Sequence, residues 1–472
     1  MAARVSGFSA KRRIAAAPSA PSDFNARGVV TAPSFALTRP VADRGAIEFT
    51  VLAHQIKAEG AHAAGWIAQP MWVCREGSIP LDGIPLHRHS RRFRSRSAAV
   101  NHALSRGLRM VRQQRHRKAS TAAWAAAVEA LRVWMAEAIE QVRAHDESLP
   151  LRGLTGCDLF SGGFGGLSMG MVSQGLRIEL ACEIDAEART AYLRNFSPGT
   201  LHDDICTLDA REMQVDVVTM GLLCQAFSLA GKGLGFDDPK LAEAYRHALR
   251  VLGEVDAKVI IIECARRFMT LDGGKHADAL IDHLMRSGYR VQHRALDAAA
   301  FGVAQTRERS FLVCTRIGLD VDLILGYVFP EEQAPSATVA EIMDADLPAT
   351  IADADIVLRT EEQPRRAGVR QTVGWIGGRH SQGYRVYSPQ SGPGATLTAS
   401  GGGRAAFTGA YRVKGGARAL TPREALRMQG MPEWAEHHPD RRAALRHAGN
   451  GAAVPVACAL IEQLGAILGG RP

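Results

Sequence analysis

Five side chains in this chain of 472 residues have types and settings suited to covalent and acid–base chemistry: Cys224, Glu183, Glu263, Arg307 and Arg309. Cys224 lies in VVTMGLLCQAFSLAGKG (Val217–Gly233), where an apolar run delivers a thiol into a loop of small and polar residues. Free cysteine is among the most buried residue types, so the thiol alone reads equally as packing or as a nucleophile. Glu183 and Glu263 end the apolar runs RIELACEI and KVIIIE, and the two arginines stand in QTRER. A Gly-rich stretch, DLFSGGFGG (Asp158–Gly166), follows a further apolar run. Glycines there let a backbone approach a ligand and free a helix N-terminus to bind it, and an acid about 20 residues on typically takes ribose hydroxyls. Glu183 occupies that position. The pattern fits an adenosine-type cofactor, either a nicotinamide dinucleotide or S-adenosylmethionine, and it also suits a tight turn with no ligand.

These groups need elements to hold them. Candidate strands are GLTGCDLF, RIELACEI, VDVVTMG and KVIIIE, separated by helix- or loop-length segments. Alternating strands and helices predict a parallel, doubly wound sheet, whose ligands sit beyond the carboxyl ends of the strands. That rule brings the Gly-rich loop, both glutamates and the Cys224 loop to one edge. Residues 291–316 read as two strands joined by a loop that rejoin the sheet. Between 317 and 417 strand signals shorten and Gly-rich loops dominate, as in SQGYRVYSPQSGPGATLTASGGGR, predicting a small domain of irregular β structure. Helical patterning returns at TPREALRMQG and in AAVPVACALIEQLGAIL.

The formal charge of +9 is unevenly spread. Residues 1–150 carry 22 Lys and Arg against 11 Asp and Glu, and the remainder 35 against 37. A basic appendage on a near-neutral body points to a polyanionic partner. The basic run between Arg88 and Lys118 contains no acid, and nucleic-acid contact is the expectation, with a solvated face as the alternative. Residues 1–44 read as a disordered basic leader, with an organelle transit peptide as the alternative. Residues 45–148 read as an accessory unit of short strands, then a helix from about Ser97. An amphipathic face follows at Trp124, Val128, Leu131, Met135, Ile139 and Val142. Eight scattered cysteines with no CxxC pair exclude a disulfide framework and give no zinc or other metal site, and reduced thiols fit a cytoplasmic protein. No apolar run approaches the ~18 residues of a membrane span.

Taken in order, DLFSGGFGG, Glu183, Asp204-Ile205, Cys224-Gln225-x-Phe-Ser, Glu263, QTRER, LTPREALRMQGMPEW and GNGAAVPVA resemble the C5-cytosine-specific DNA methyltransferase family over residues 151–472. SQGYRVYSPQSGPGATLTASGGG resembles the start of that family's target recognition domain. The resemblance implies an α/β fold: a doubly wound, Rossmann-like S-adenosylmethionine-dependent methyltransferase sheet (151–316), a smaller irregular β target recognition domain (317–417), and a return to the catalytic domain (418–472). The basic α+β extension at the N-terminus has no place in it. It further implies a methyl group passed from S-adenosylmethionine to C5 of a cytosine flipped out of double-stranded DNA. Cys224 matches the nucleophile that adds to C6, and Glu263 the protonated carboxyl facing N3. Arg307 and Arg309 match groups that position the base and stabilise developing charge, with Gln305 shaping the loop. For the cofactor the resemblance implies Phe160, Gly162 and Gly165 around the methionine and adenine parts, Glu183 and Ile184 at the ribose, Asp204 and Ile205 at the adenine, and Asn450 and Gly451 closing the pocket. Phe160 as plain core, Asp204 (or Asp203) as a helix cap and QTRER as a charged strand edge are the structural alternatives. A monomer, no membrane contact and a cognate restriction endonuclease are also implied.

Departures cluster around the reactive centre. Leu222-Leu223 stand where the family has prolines, Cys264-Ala265 where it has Asn-Val, and Ala304 where it has another proline. Proline fixes φ, so its loss leaves the Cys224 loop less constrained. The competing reading is a degenerate homologue that binds DNA without catalysis. An RNA substrate is a third, against which the recognition-domain-sized insert argues.

Overall fold

The computed structural model describes residues 149–472 except 212, 223–238, 320–326, 360–369, 381, 400–406, 433–434 and 469–472. It also describes the backbone of four strands nearer the N-terminus. The chain divides into two units, with Leu149–Pro472 in the second. The four strands, β1 (Phe35–Pro40), β2 (Ile47–Ile56), β3 (Gly65–Cys74) and β4 (Gly77–Pro80), pair antiparallel in that order. The strands expected in residues 45–74 are therefore present. The expectation of a disordered leader over 1–44 is corrected at Phe35–Pro40, which form β1 because they pair with β2. The rest of the leader, the basic run 88–118, the amphipathic segment 124–142 and Cys224 lie outside the described residues.

The second unit is built on a seven-stranded sheet. Its strands are β5 (Thr155–Leu159), β6 (Arg177–Cys182), β7 (Thr200–His202), β8 (Val217–Gly221), β9 (Val259–Ala265), β10 (Tyr289–Asp297) and β11 (Glu308–Arg316). They lie in the order β10-β11-β9-β8-β5-β6-β7. β5 to β9 run parallel, and β11 pairs antiparallel with both β9 and β10. The chain runs outward from β5 through β6 to β7, then crosses to β8 on the other side. The β5–β8 boundary is thus the switch point at which open α/β sheets bind ligands. The four expected strands are all in place, and the short β7 is an addition.

Near-continuous apolar strands follow from burial on both faces. Val217, Val259, Ile261 and Val313 enter the core on one face, while Val218, Ile260, Ile262 and Leu312 enter the core on the other. Helix α1 (Gly166–Ser173) packs on the first face with the C-terminal helix Val454–Glu462. Their backbones approach so closely at Gly170 that a Cβ there would lie 2.8 Å from Ala457 Cβ. On the second face, Ala248, Val251 and Leu252 of helix Pro239–Glu254 join Leu280 and Leu284 of helix Lys275–Arg286.

The irregular β region is a six-stranded sheet of short strands, β12 (Ile351–Ala352), β13 (Ile356–Leu358), β14 (Thr372–Ile376), β15 (Arg385–Tyr387), β16 (Ala410–Val413) and β17 (Gly416–Ala419). Its pairs are antiparallel except β15 with β16. Arg418, leaving β17, forms a two-pronged buried ion pair with Glu424 at 2.7 and 2.8 Å. Glu424 also completes a capping box with Thr421 at the start of helix Pro422–Met428. The helical signals of TPREALRMQG and the C-terminal run are thus realised.

The sequence expectation on membrane spans needs one correction. Residues 441–468 are long and apolar enough, by composition alone, to cross a membrane. Most of that stretch is buried inside the protein, and Val454 to Ile461 are all core residues. Val454 to Ile461 read apolar all round because they are enclosed by protein.

Candidate functional site

β5 ends at Leu159, and the chain turns over Phe160, Ser161 and Gly162 into helix α1. The turn is tight: Phe160 (φ 55), Gly162 (φ 63) and Gly165 (φ 66) all adopt left-handed backbone. At Gly165 a side chain is also excluded by space, since a Cβ would lie 2.9 Å from Phe196 Cζ. Phe160 has no such licence, and a bulky residue at positive φ marks a strained position of the kind that clusters at ligand sites.

Glu183 leaves the end of β6 and reaches back to this turn. One carboxylate oxygen accepts from the Gly162 N–H at 2.9 Å and the other from the Asp185 N–H at 2.9 Å. Burial raises its pKa, and these two N–H donors oppose the shift. Ile184 beside it is 69% exposed, an apolar side chain held out at the edge where a planar group could rest on it. Asp204 accepts from the Cys206 N–H at 2.9 Å, which holds its carboxyl below the usual range. It therefore caps a turn, with the Cys206 thiol as a further donor to the same carboxylate. Ile205 is core.

The residues fit an adenosine-type cofactor. The Ser161 hydroxyl is buried in the turn without a hydrogen-bond partner among the described residues. At Gly221, at the end of β8, a Cβ would lie 3.6 Å from the Phe160 carbonyl of the same turn. The unsatisfied hydroxyl and the Glu183 carboxylate thus share one turn. Behind it, Asp158 is buried and accepts from Ser168 at 2.5 Å and Thr219 at 2.7 Å, pinning α1 to β5 and β8.

Glu263 and Arg309 meet on β9 and β11, beyond β8. Parallel pairing sets Gly221 beside Glu263, and antiparallel pairing sets Phe311 opposite Glu263 and Arg309 opposite Ala265. Glu263 is 4% exposed, and its Oε1 lies 3.1 Å from Arg309 Nε. That is ion-pair distance without hydrogen-bond alignment, for Oε1 has no hydrogen-bond partner among the described residues. The Leu222 N–H donates to the Glu263 carbonyl at 2.8 Å. That bond ties the end of β8, two residues before Cys224, to the strand that carries Glu263. Leu222, Cys264 and Ala304, three of the atypical residues, are buried.

Arg307 is placed differently from its expected partner Arg309. It is 3% exposed and its guanidinium donates to the carbonyls of Leu397, Gly449 and Gly451 at 3.2, 3.1 and 2.8 Å. Asn450 ends helix Arg441–Asn450 with its side chain exposed, and Gly451 follows. A Cβ on Gly451 would lie 2.6 Å from Phe164 Cγ, so the segment expected to close the pocket does lie against the Gly-rich loop. Gln305 is fully buried, and its carbonyl oxygen accepts from the Leu397 N–H at 2.8 Å. Sequence reasoning gave no role to Gln429, which joins Gln305 to this cluster. Its only signal was its place just past helix Pro422–Met428. The other cysteines read as packing residues: Cys157, Cys182, Cys264, Cys314 and Cys458 are buried. Burial raises the Cys182 thiol to about 12 and the Cys458 thiol to about 11.

A Gly-rich turn at the switch point, a carboxylate that holds that turn and a buried Glu–Arg pair on the neighbouring strands fit an α/β group-transfer enzyme with an adenosine-type cofactor. Comparison with known proteins narrows the class. Residues 154–466 match the family described as C-5 cytosine-specific DNA methylase, and the chain belongs to it. The type II methyltransferase M.HhaI of Haemophilus parahaemolyticus is 29% identical over 325 residues, 68% of this chain and 97% of that protein. M.NgoBI of Neisseria gonorrhoeae is 30% identical over 307 residues, 63% of this chain and 89% of that protein. A solved methyltransferase structure from Entamoeba histolytica shares the fold at 14% identity, with a TM-score of 0.50, over 66% of this chain and 97% of that one. The protein is a DNA (cytosine-5) methyltransferase with S-adenosylmethionine as methyl donor.

Proposed function

We propose that Cys224, Glu263 and Arg309 carry the chemistry, with Phe160, Gly162, Gly165, Glu183, Ile184, Asp204, Ile205, Asn450 and Gly451 around the cofactor. The observation that carries this reading is the buried Glu263–Arg309 pair, with only β8 between the Glu263 strand and the strand of the cofactor loop, and with the Glu263 carbonyl bonded to Leu222, two residues before Cys224. Cytosine C5 is a poor nucleophile until a group adds to C6. The Cys224 thiolate forms a bond to C6 and pushes electron density towards C5 and N3. Glu263 faces N3 and supplies a proton there, while the Arg309 guanidinium orients that carboxyl and offsets charge on the ring. The cofactor, when bound, supplies the methyl group that C5 takes. Loss of the C5 proton to water, return of the N3 proton to Glu263 and departure of the thiolate then restore the ring. The target base must leave the duplex to reach this site, and residues 317–417 supply the surface that reads its neighbours.

The same reading makes the protein a monomer, since one copy carries each group the reaction needs. It also places the enzyme in the cytoplasm, beside DNA and a cognate restriction endonuclease, in keeping with relatives named as type II methyltransferases. Bisulfite sequencing of DNA from expressing cells should show methylation at one defined sequence. Cys224→Ser should abolish it and also the covalent adduct on 5-fluorocytosine DNA. Methylation that survives Cys224→Ser would remove Cys224 from the role.

A further inference from the structure

The two halves of the site are joined by one buried polar cluster. Gln305 Nε2 donates to Gln429 Oε1 at 2.9 Å and to the Met428 carbonyl at 3.2 Å. Gln429 Nε2 donates to the carbonyls of Ala448 at 2.5 Å and Gly451 at 3.0 Å. The Gly451 carbonyl also accepts from Arg307, at 2.8 Å. Both glutamines are 0% exposed, so each amide group lost here leaves a buried partner unmet. One end of the cluster touches the cofactor side, where the Gly451 backbone rests on Phe164 of the Gly-rich loop. The other end is the arm Gln305–Arg309, whose last residue holds Glu263. The arm is also stitched to the 394–398 segment, through the Thr306 N–H to the Gly394 carbonyl and the Thr396 hydroxyl to the Thr306 carbonyl.

We propose that Gln305, Arg307 and Gln429 form a positioning relay that couples closure of the Gly449–Gly451 segment on the cofactor to the placement of Arg309 against Glu263. Gln429 is its central residue, bonded both to Gln305 and to the Gly451 carbonyl. The relay gives Arg307 a different task from Arg309. Arg307 fixes backbone, and Arg309 faces the base. The cofactor and the flipped cytosine are then linked reciprocally, each favouring the closed arrangement that the other needs. This inference rests on the proposed placing of the cofactor beside Gly451 and of the base beside Glu263.

Two measurements test it. S-adenosylhomocysteine should tighten binding of a duplex carrying the bisulfite-mapped site by about tenfold in the parent protein. In Gln429→Leu that ratio should fall towards one. In Gln429→Glu, which keeps the acceptor for Gln305 but loses the donor to Gly451, it should fall similarly. A purely structural role would weaken both ligands and leave the ratio intact, and that result overturns the relay. The second measurement needs neither DNA nor turnover, so it separates failure of the relay from failure of the methylation reading. In the parent protein, S-adenosylhomocysteine should slow amide hydrogen exchange across residues 306–310, and unchanged exchange there also overturns the relay.

Discussion

Gly451→Ala tests the cofactor-side packing directly. A Cβ at 451 would lie 2.6 Å from Phe164 Cγ and 2.9 Å from Phe164 Cβ. Ordinary carbon contacts are about 3.5–4.0 Å, so ring and backbone must part by about 1 Å. Phe164 has little freedom to retreat. It is 4% exposed and packed in the core. Gly451 is held in turn by Arg307 and Gln429 on its carbonyl. Overpacking of this kind costs about 1–3 kcal/mol. Expressed wholly in cofactor affinity, that is a rise of about 5- to 150-fold in the Kd for S-adenosylhomocysteine. Isothermal titration reads the Kd, and a thermal melt reads whatever part of the cost falls on stability. Phe164→Ala removes Cγ and the whole ring and leaves only the Cβ contact. In that background Gly451→Ala should cost about 0.5 kcal/mol, giving a coupling of about 0.5–2.5 kcal/mol between the two positions. If Gly451→Ala moves neither Kd nor Tm, or if the two changes simply add, the packing argument is refuted.

Two further predictions concern buried charge. Arg418→Met strands the Glu424 carboxylate, and removing one partner of a buried pair typically costs about 3–5 kcal/mol, visible as an earlier urea transition. Burial alone would raise the Glu424 pKa, but Arg418 and the N–H groups of Thr421 and Asp344 hold it below 4.5. Its contribution is therefore present above pH 4.5 and lost as pH falls through the lower folded value, and an Arg418→Met penalty that does not shrink on acidification counts against it. Asp158 has the opposite sign. Burial raises its pKa from 3.8 to about 6 despite the Ser168 and Thr219 hydrogen bonds, so ionisation is disfavoured in the folded state. The stability of the parent protein relative to Asp158→Asn should fall by about 3 kcal/mol between pH 4 and pH 7, at 1.36 kcal/mol for each pH unit between the two pKa values. A flat difference across that range would exclude a titrating Asp158.

Much of the site was legible from strand ends. Apolar runs fix where strands stop, and a parallel sheet gathers the residues just past those ends along one edge. Glu183, Glu263 and the Gly-rich loop were therefore placed before any contact was known. Glycine spacing likewise announced the turn, because left-handed backbone at Gly162 and Gly165 is a local property. Local sequence carries no information on which partner a side chain meets across the chain. Arg307 and Arg309 are two residues apart and chemically identical, yet one is sealed against three carbonyls from distant segments and the other lies beside a carboxylate. Gln429 drew no notice because its meaning lies in Gln305, 124 residues away. The same holds for residues 441–468, whose composition suits a membrane span while packing puts Val454 to Ile461 in the core. Sequence by itself determined the residue chemistry, the strand and helix rhythm and the polarity of the sheet edge, because these depend on near neighbours. Long-range packing alone decided which arginine turns inward, which glycine must stay bare and what joins the cofactor side to the base side.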